Sequence, residues 1–363
     1  MARTRRSIAK RYLDRIEQSR PTYEVAASQA EALIREILVN TPAVIHLIDA
    51  RCKQRSSLWL KLCEKRYMQP ARQLTDVIGA RVITYYNDEV PSVVTALSSA
   101  LEVDAQRSVN KREQLAAIEF GYRSVHLIVR TRGSWFTSPQ YEALRNIWFE
   151  IQVRSILEHA WAEIEHEVVY KSGITYPVLV KRRFARMAGA IEILEDEFVM
   201  LRKYQDKMVD FYKQRYSGGR DSTIELDSVR LIALLECERP ESLGWRAATR
   251  SGQPFAPHLD NRCVKALKRS GIRTPLALRA MLRSKIFERA EVMFAEEHRI
   301  SEPLSHLNTA RIAVLLRSPT IFSDYFPEMS ADVGIQRLLL ERKRGRLGAS
   351  NGRYASSGQT ERR

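Results

Sequence analysis

Three stretches of this chain alternate like strands and divide the same way, apolar on one side and chemically equipped on the other. In Phe149-Glu150-Ile151-Gln152-Val153-Arg154, the residues Phe149, Ile151 and Val153 share one face, and Glu150, Gln152 and Arg154 share the other. Residues 122–129 set Tyr122, Ser124 and His126 opposite Val125, Leu127 and Val129. Asp76 opens a third run, through Gly79 and Arg81 into Val82-Ile83-Thr84-Tyr85-Tyr86. An aspartate and a glutamate on one polar surface make a hard-oxygen site. It suits Mg²⁺, which takes one or two carboxylates and completes its shell with water and substrate phosphates. Each stretch alone reads equally well as an amphipathic surface strand. The repeated division is what points to chemistry.

The flanking sequence must supply the elements that position these residues. A helix is expected near 24–38, with Ala30, Leu33, Ile34, Ile37 and Leu38 on one face. Val44, Ile45, Leu47 and Ile48 predict a strand running towards Arg51 and Lys53, and Leu58, Trp59, Leu60 and Leu62 a helix with Lys61 on its side. Residues 91–101 read as a helix, with a return strand near Val103. Residues 107–120 read as a polar, mobile loop, and 133–146 as an insertion before the Glu150 strand. Strands interleaved with helices predict a mixed α/β core.

Arg51-Cys52-Lys53 with Ser57 and Lys61, then Asp76-x-x-Gly79-x-Arg81, then Gly121-Tyr122-Arg123-Ser124-x-His126, then Glu150-x-Gln152-x-Arg154, occur in that order. This series resembles the synthetase domain of the RelA/SpoT family, the alarmone (p)ppGpp synthetases, over residues 25–215. The resemblance is to small synthetases without a hydrolase domain, since no His here is followed directly by Asp. It implies a nucleotidyltransferase-like mixed sheet flanked by helices, and transfer of pyrophosphate from ATP to the ribose 3′-hydroxyl of GDP or GTP. Such chemistry is mostly positioning and charge neutralisation.

By that resemblance, Asp76 and Glu150 hold the cofactor Mg²⁺, and Glu150 is also placed to help deprotonate the attacking hydroxyl. Arg51, Lys53, Ser57, Lys61 and Arg81 bind ATP. Tyr122 stacks on the acceptor base, and Ser124, His126, Gln152 and Arg154 line the acceptor pocket. Without the resemblance, Arg51 and Lys53 read as solvated charges, Tyr122 as an ordinary strand aromatic and Asp76 as a turn or cap residue. His166 and Lys171 read as structural. One departure concerns the acceptor. Family members that use guanine nucleotides commonly carry Lys-x-Asn before the Gly-Tyr, where this chain has Ile118, Glu119 and Phe120. Lys111 and Arg112 stand nearby as substitutes. A toxic branch resembling this family pyrophosphorylates the tRNA 3′ end instead, and a net charge of +16 suits that polyanion. A third reading is an inactive nucleotide or RNA sensor, against which the presence of both carboxylates argues.

The 363 residues allow two modest domains, and 44% hydrophobic content makes the chain globular. Its apolar runs fall far short of the ~20 residues a membrane helix needs. The basic start, Met1-Ala2-Arg3-Thr4-Arg5-Arg6, has no apolar segment behind it, so neither a secretion signal nor a membrane role is expected. Cys52, Cys63, Cys237 and Cys263 are scattered, which points to the reducing cytoplasm and away from structural zinc. No DNA partner is expected. Residues 1–24 form a basic N-terminal segment and 25–216 the synthetase domain with a long final helix. On that helix Phe184, Met187, Ile191, Leu194, Phe198 and Leu201 step as a packed seam, against the core or a second copy in a homo-oligomer. Residues 217–222 make a linker, and 223–338 a second, all-α domain of regulatory or partner-sensing kind. There Asp227 or Ser228 caps a helix through Leu231, Ile232, Leu234 and Leu235, while Gly271 stops one helix and Thr274-Pro275 starts the next. Residues 339–363 read as a basic, disordered tail with weak polyanion affinity.

Overall fold

The computed structural model describes residues 2–65, 67–110, 124–170, 178–218, 223–239, 261–299 and 304–347. The described residues up to Arg202 make one compact unit, and those from Lys203 onward a second.

The first unit is built on a six-stranded mixed sheet. Its strands are β1 (Ile45–Cys52), β2 (Ile78–Thr84), β3 (Glu102–Val103), β4 (Val109–Asn110), β5 (Val125–Arg130) and β6 (Phe149–Ser155). The spatial order is β1-β2-β6-β5-β3, with β4 also on β5, and among the described residues only the central β2–β6 pair is parallel. Helices α1 (Ala2–Gln18), α2 (Arg20–Leu38), α3 (Arg55–Lys65), α4 (Pro70–Gln73), α5 (Val90–Ala100), α6 (Gly133–Thr137), α7 (Ile156–Glu165) and the first part of α8 (Val178–Ser217) complete it.

Strand alternation sends Ala80, Val82, Val125, Leu127, Val129, Ile151 and Val153 to one side of the sheet. There they pack with Leu33, Ile34 and Leu38 of α2 and Val93 and Leu97 of α5 into the main core. The other side keeps the polar residues. A smaller core joins Ala9, Leu13 and Ile16 of α1 to Leu58 and Leu62 of α3, with Leu74 and Val77. The N-terminal segment is therefore a docked helix, with Arg6, Lys10, Arg11 and Arg15 exposed.

Several expectations need correction. Within the loop expected at 107–120, Val109 and Asn110 pair with His126 and Val125 as β4, because their backbone completes an otherwise open stretch of β5. Residues 111–120 lie outside the described residues. The insertion at 133–146 is part of the core. Tyr141 and Leu144 are buried, and the Tyr141 hydroxyl donates to Glu36 of α2. On α8 the seam has a different phase. Its buried line is Phe184, Ala188, Glu195 and Val199, while Met187, Leu194, Phe198 and Leu201 are exposed. The cause is polar burial. Glu195 accepts the Ser155 hydroxyl, and Arg202 meets Glu89 at 2.7 Å and Asp88 at 2.6 Å. A pattern that scores only apolar residues passes over such anchors.

The second unit takes the end of α8, where Val209 and Tyr216 enter its core, so the division falls inside the helix rather than at 217–222. Of the expected linker, residues 219–222 lie outside the described residues. The unit is all-helical among its described residues: α9 (Ser228–Glu238), α10 (Asn261–Arg269), α11 (Pro275–Leu282), α12 (Lys285–Glu297), α13 (His306–Arg317), α14 (Pro319–Tyr325) and α15 (Val333–Lys343). Asp227 caps α9 by accepting from the Arg230 amide at 2.8 Å. Gly271 has φ +92°, and Thr274 caps α11 with Pro275 at its first turn. Residues 339–347 do not belong to a disordered tail. Helix α15 runs to Lys343, Gly345 turns the chain at φ +74°, and Leu347 is buried. Residues 348–363 lie outside the described residues.

His306 at the start of α13 is 2% exposed, and burial pushes its pKa below the ordinary value, although Glu236 pulls the other way. The neutral ring suits the fold and the unfolded chain binds the proton more tightly, so stability is lost as pH falls below about 6.5. The second unit should melt lower at pH 5.5 than at pH 7.5, and His306→Leu should narrow that gap. His298 works in the opposite sense, because the Phe294 carbonyl and Asp332 outweigh its burial and raise its pKa. An unchanged gap in His306→Leu melts would remove His306 as the cause.

Candidate active site

The polar side of the sheet is ordered by strand register. Arg51 of β1 pairs with Gly79 of β2, and Gly79 with Glu150 of β6. The neighbouring row runs Asp49, Arg81, Gln152 and His126. Gly79 therefore lies between a cation and a carboxylate, and a Cβ there would meet nothing within 4 Å. The floor between Arg51 and Glu150 is open.

Asp76 lies two residues ahead of β2 and is 3% exposed. Its Oδ2 is held by Lys53 Nζ and, at 2.5 Å, by Lys61 Nζ. Its Oδ1 is buried and accepts no hydrogen bond among the described residues. The Lys53 backbone amide donates to the Val77 carbonyl at 2.9 Å, tying the end of β1 to the aspartate segment. Lys61 comes from the flank of α3, which Leu58 and Leu62 seat in the small core. For Lys61, burial works against its charge, but Asp76 and then Glu150 outweigh it and raise its pKa.

Glu150 accepts from His126 Nδ1 at 2.7 Å, and His126 Nε2 lies 2.6 Å from Ser124 Oγ. Burial alone would raise the Glu150 pKa. The hydrogen bond from His126 and the charges of His126, Lys53 and Lys61 prevail and pull it down to about 2. Glu150 is thus a carboxylate at neutral pH, electrostatically linked to the lysines on Asp76. Among the described residues no three His, Cys, Asp or Glu side chains cluster as a metal cage. Two carboxylates with an orphaned buried oxygen fit a hard cation that draws its remaining ligands from water and phosphate.

The structure brings together Lys53, Lys61 and Asp76, and separately Ser124, His126 and Glu150, with Arg51, Arg81 and Gln152 on the same side of the sheet. Ser57 is exposed on α3. Arg81 Nη1 lies 3.2 Å and Arg154 Nη2 3.6 Å from Glu163 Oε1 on α7, and Arg154 is buried. Tyr122, Ile118, Glu119, Phe120, Lys111, Arg112 and Lys171 lie outside the described residues.

Two supporting residues escaped the sequence reading. Glu163 faces both arginines, and its only sequence signal is its helix spacing from His159. Arg20 donates to the Lys53 carbonyl at 3.2 Å, approaches Cys52 Sγ at 3.7 Å, and is itself held by Glu17 at 2.6 Å. No local pattern announces a contact across 33 residues. If Lys53 grips the phosphates of ATP, Arg20→Ala should loosen the Lys53 segment and weaken ATP binding roughly fivefold, the scale of one ordinary hydrogen bond. Calorimetry with ATP checks this, and an unchanged affinity would make Arg20 merely structural.

The end of β6 is locked to the helix that follows. Ser155 and Glu158 form a capping box, the Ser155 Oγ accepting from the Glu158 amide at 3.1 Å and the Glu158 side chain from the Ser155 amide at 3.0 Å. The same hydroxyl donates to Glu195.

Residues 50–175 match the family described as "Region found in RelA / SpoT proteins". The GTP pyrophosphokinase YjbM of Bacillus subtilis (strain 168) is 26% identical over 174 residues, 47% of this chain and 79% of that protein. YwaC, a GTP pyrophosphokinase of the same strain, is 24% identical over 152 residues, 42% of this chain and 69% of its own. The crystal structure of small alarmone synthetase 1 from Bacillus subtilis matches with a TM-score of 0.44 at 23% identity, over 53% of this chain and 99% of that one. The stretch that contains both carboxylates, both lysines and the His126–Glu150 pair is the one that matches the RelA/SpoT region.

Proposed function

We propose that this chain transfers the pyrophosphate group of ATP to the 3′-hydroxyl of GDP or GTP and releases AMP. The observation behind this reading is the buried Asp76 held by Lys53 and Lys61, with the half-buried Glu150 kept ionised partly by the same two lysines, beside the open floor at Gly79. The relatives named as GTP pyrophosphokinases support it.

In this reading a bond forms between the acceptor 3′-oxygen and the β-phosphorus, and the bond from that phosphorus to the bridging oxygen of AMP breaks. The hydroxyl proton leaves towards the His126–Glu150 pair. Lys53 and Lys61 turn from Asp76 to the phosphates as ATP enters, and Arg51 and Arg81 hold its phosphate chain or ring, with Ser57 as a neutral donor. Tyr122 stacks on the acceptor base, while Ser124, Gln152 and Arg154 shape its pocket. Asp76 and Glu150 would hold Mg²⁺, which neutralises charge on the transferred group when bound. The site is a reactant clamp more than a source of reactive groups.

Incubation of the purified chain with β,γ-labelled ATP, Mg²⁺ and GDP, GTP or deacylated tRNA tests the proposal. Label on guanine nucleotide is the expected result. Label on tRNA alone would replace the acceptor while keeping the chemistry, a reading the net charge of +16 favours. No transfer to any acceptor would leave a binding module.

A further inference from the structure

His298 stands at a junction of two helices in the second unit. It is the residue that ends α12, and its ring meets the start of α15. Its Nδ1 lies 2.9 Å from the Phe294 carbonyl oxygen and its Nε2 3.0 Å from Asp332 Oδ2. A carbonyl oxygen can only accept. Asp332 is an ionised carboxylate whose other oxygen accepts the Ile335 amide at 2.9 Å, so it also only accepts. Both ring nitrogens must therefore donate, which a neutral imidazole cannot do.

The seat of the ring is shaped for it. Phe294 stacks on it with 4.2 Å between centroids, and Gly334 makes room, since a Cβ there would fall 2.4 Å from His298 Cε1. Burial of the ring works against its charge, but the Phe294 carbonyl, Asp332 and Glu297 outweigh it and raise the pKa. The cation that α15 brings to this junction, Arg337, is engaged by Glu297 at 2.8 Å and Glu296 at 3.3 Å. On α11 and α13, which also pack on α12, Arg279 and Arg311 are paired with Glu238 and Glu328.

We propose that His298 is a proton-operated latch, whose imidazolium ties the end of α12 to the start of α15 and whose neutral ring lets go. With one proton lost, a single N–H must serve two oxygens, and a nitrogen lone pair then faces the other at about 3 Å. Asp332 is also the cap of α15, so the first turn of that helix is the part that loosens. The contribution is complete below about pH 6.5, the ordinary histidine value, and is lost as pH rises through the higher pKa of the folded chain. The latch thus opposes His306, which costs stability on the acid side.

The full chain, labelled with carbon-13 at the histidine rings, is titrated by NMR, and His298→Gln identifies the His298 signal among the seven histidines. Its midpoint should lie above about 6.5. Asp332→Asn supplies the decisive contrast. Its amide oxygen still caps Ile335, while its amide N–H donates to Nε2, so a neutral ring now satisfies both partners. The midpoint should then fall by about one pH unit or more. Hydrogen exchange over residues 333–337, corrected for the intrinsic rate, should quicken roughly fivefold above the midpoint in the native chain, the scale of one hydrogen bond, and stay level in Asp332→Asn. A native midpoint at or below about 6.5, an unchanged midpoint in Asp332→Asn, or exchange in α15 that ignores the midpoint would each overturn the proposal.

Discussion

Glu150→Gln should lower AMP release by roughly a thousandfold while leaving ATP binding measurable, the scale seen when one preorganised charge or donor is removed from a transition-state site. The substitution is nearly isosteric, and its amide oxygen can still accept from His126. Lys53 and Lys61 are positioned by Asp76 and not by Glu150, so they remain in place to meet ATP. What disappears is a negative charge that the surrounding cations hold ionised, with a pKa of about 2. Asp76 and Glu150 would be the residues to hold a divalent cation, so the substitution would remove one of its anionic ligands, and the loss matters most where charge shifts during transfer. Single-turnover AMP release and calorimetric ATP binding, measured on the same preparation, separate the two effects. Undiminished turnover would remove Glu150 from the mechanism.

The largest stability effect is expected in the second unit. Arg279 on α11 and Glu238 at the end of α9 are almost fully buried, with side chains 9% and 6% exposed and Nε 2.8 Å from Oε1. Arg279 also donates to the Tyr216 carbonyl at 3.1 Å, so one guanidinium joins α8, α9 and α11. Arg279→Met keeps the volume but strands part of that polarity. Breaking a buried pair costs roughly 3–5 kcal/mol, and the lower end applies because Arg283 still reaches Glu238 at 2.6 Å. Denaturant titration with hydrogen exchange over residues 228–282 should show a loss of about 3 kcal/mol. Adding Glu238→Gln should recover part of it, since the uncompensated carboxylate is then gone. A loss below the cost of one ordinary hydrogen bond would show that Arg283 suffices alone.

The failures of the sequence reading share one physical origin. The alternation of Glu150, Gln152 and Arg154 against Phe149, Ile151 and Val153 needs only the two-residue period of a strand, and it holds in β6. Capping is equally local, which is why Asp227, Gly271 and Thr274 are where their residue types place them. The α8 seam is different. Glu195 and Arg202 are outward-facing residues by composition, yet they anchor the helix because Ser155, Asp88 and Glu89 meet them from far along the chain.

The sequence by itself determined the alternating strands, the caps, the two-part composition and the motif series that resembles RelA/SpoT synthetases. All of these depend on residue type and spacing over a few positions. Tertiary structure alone decided that Lys53 and Lys61 share Asp76, that His126 bridges Glu150 to Ser124, and that Arg20 braces Lys53. Pairings of that kind join residues tens of positions apart. Their energy exists only once sheet register and core packing bring the partners within reach, so no short window of sequence can encode them.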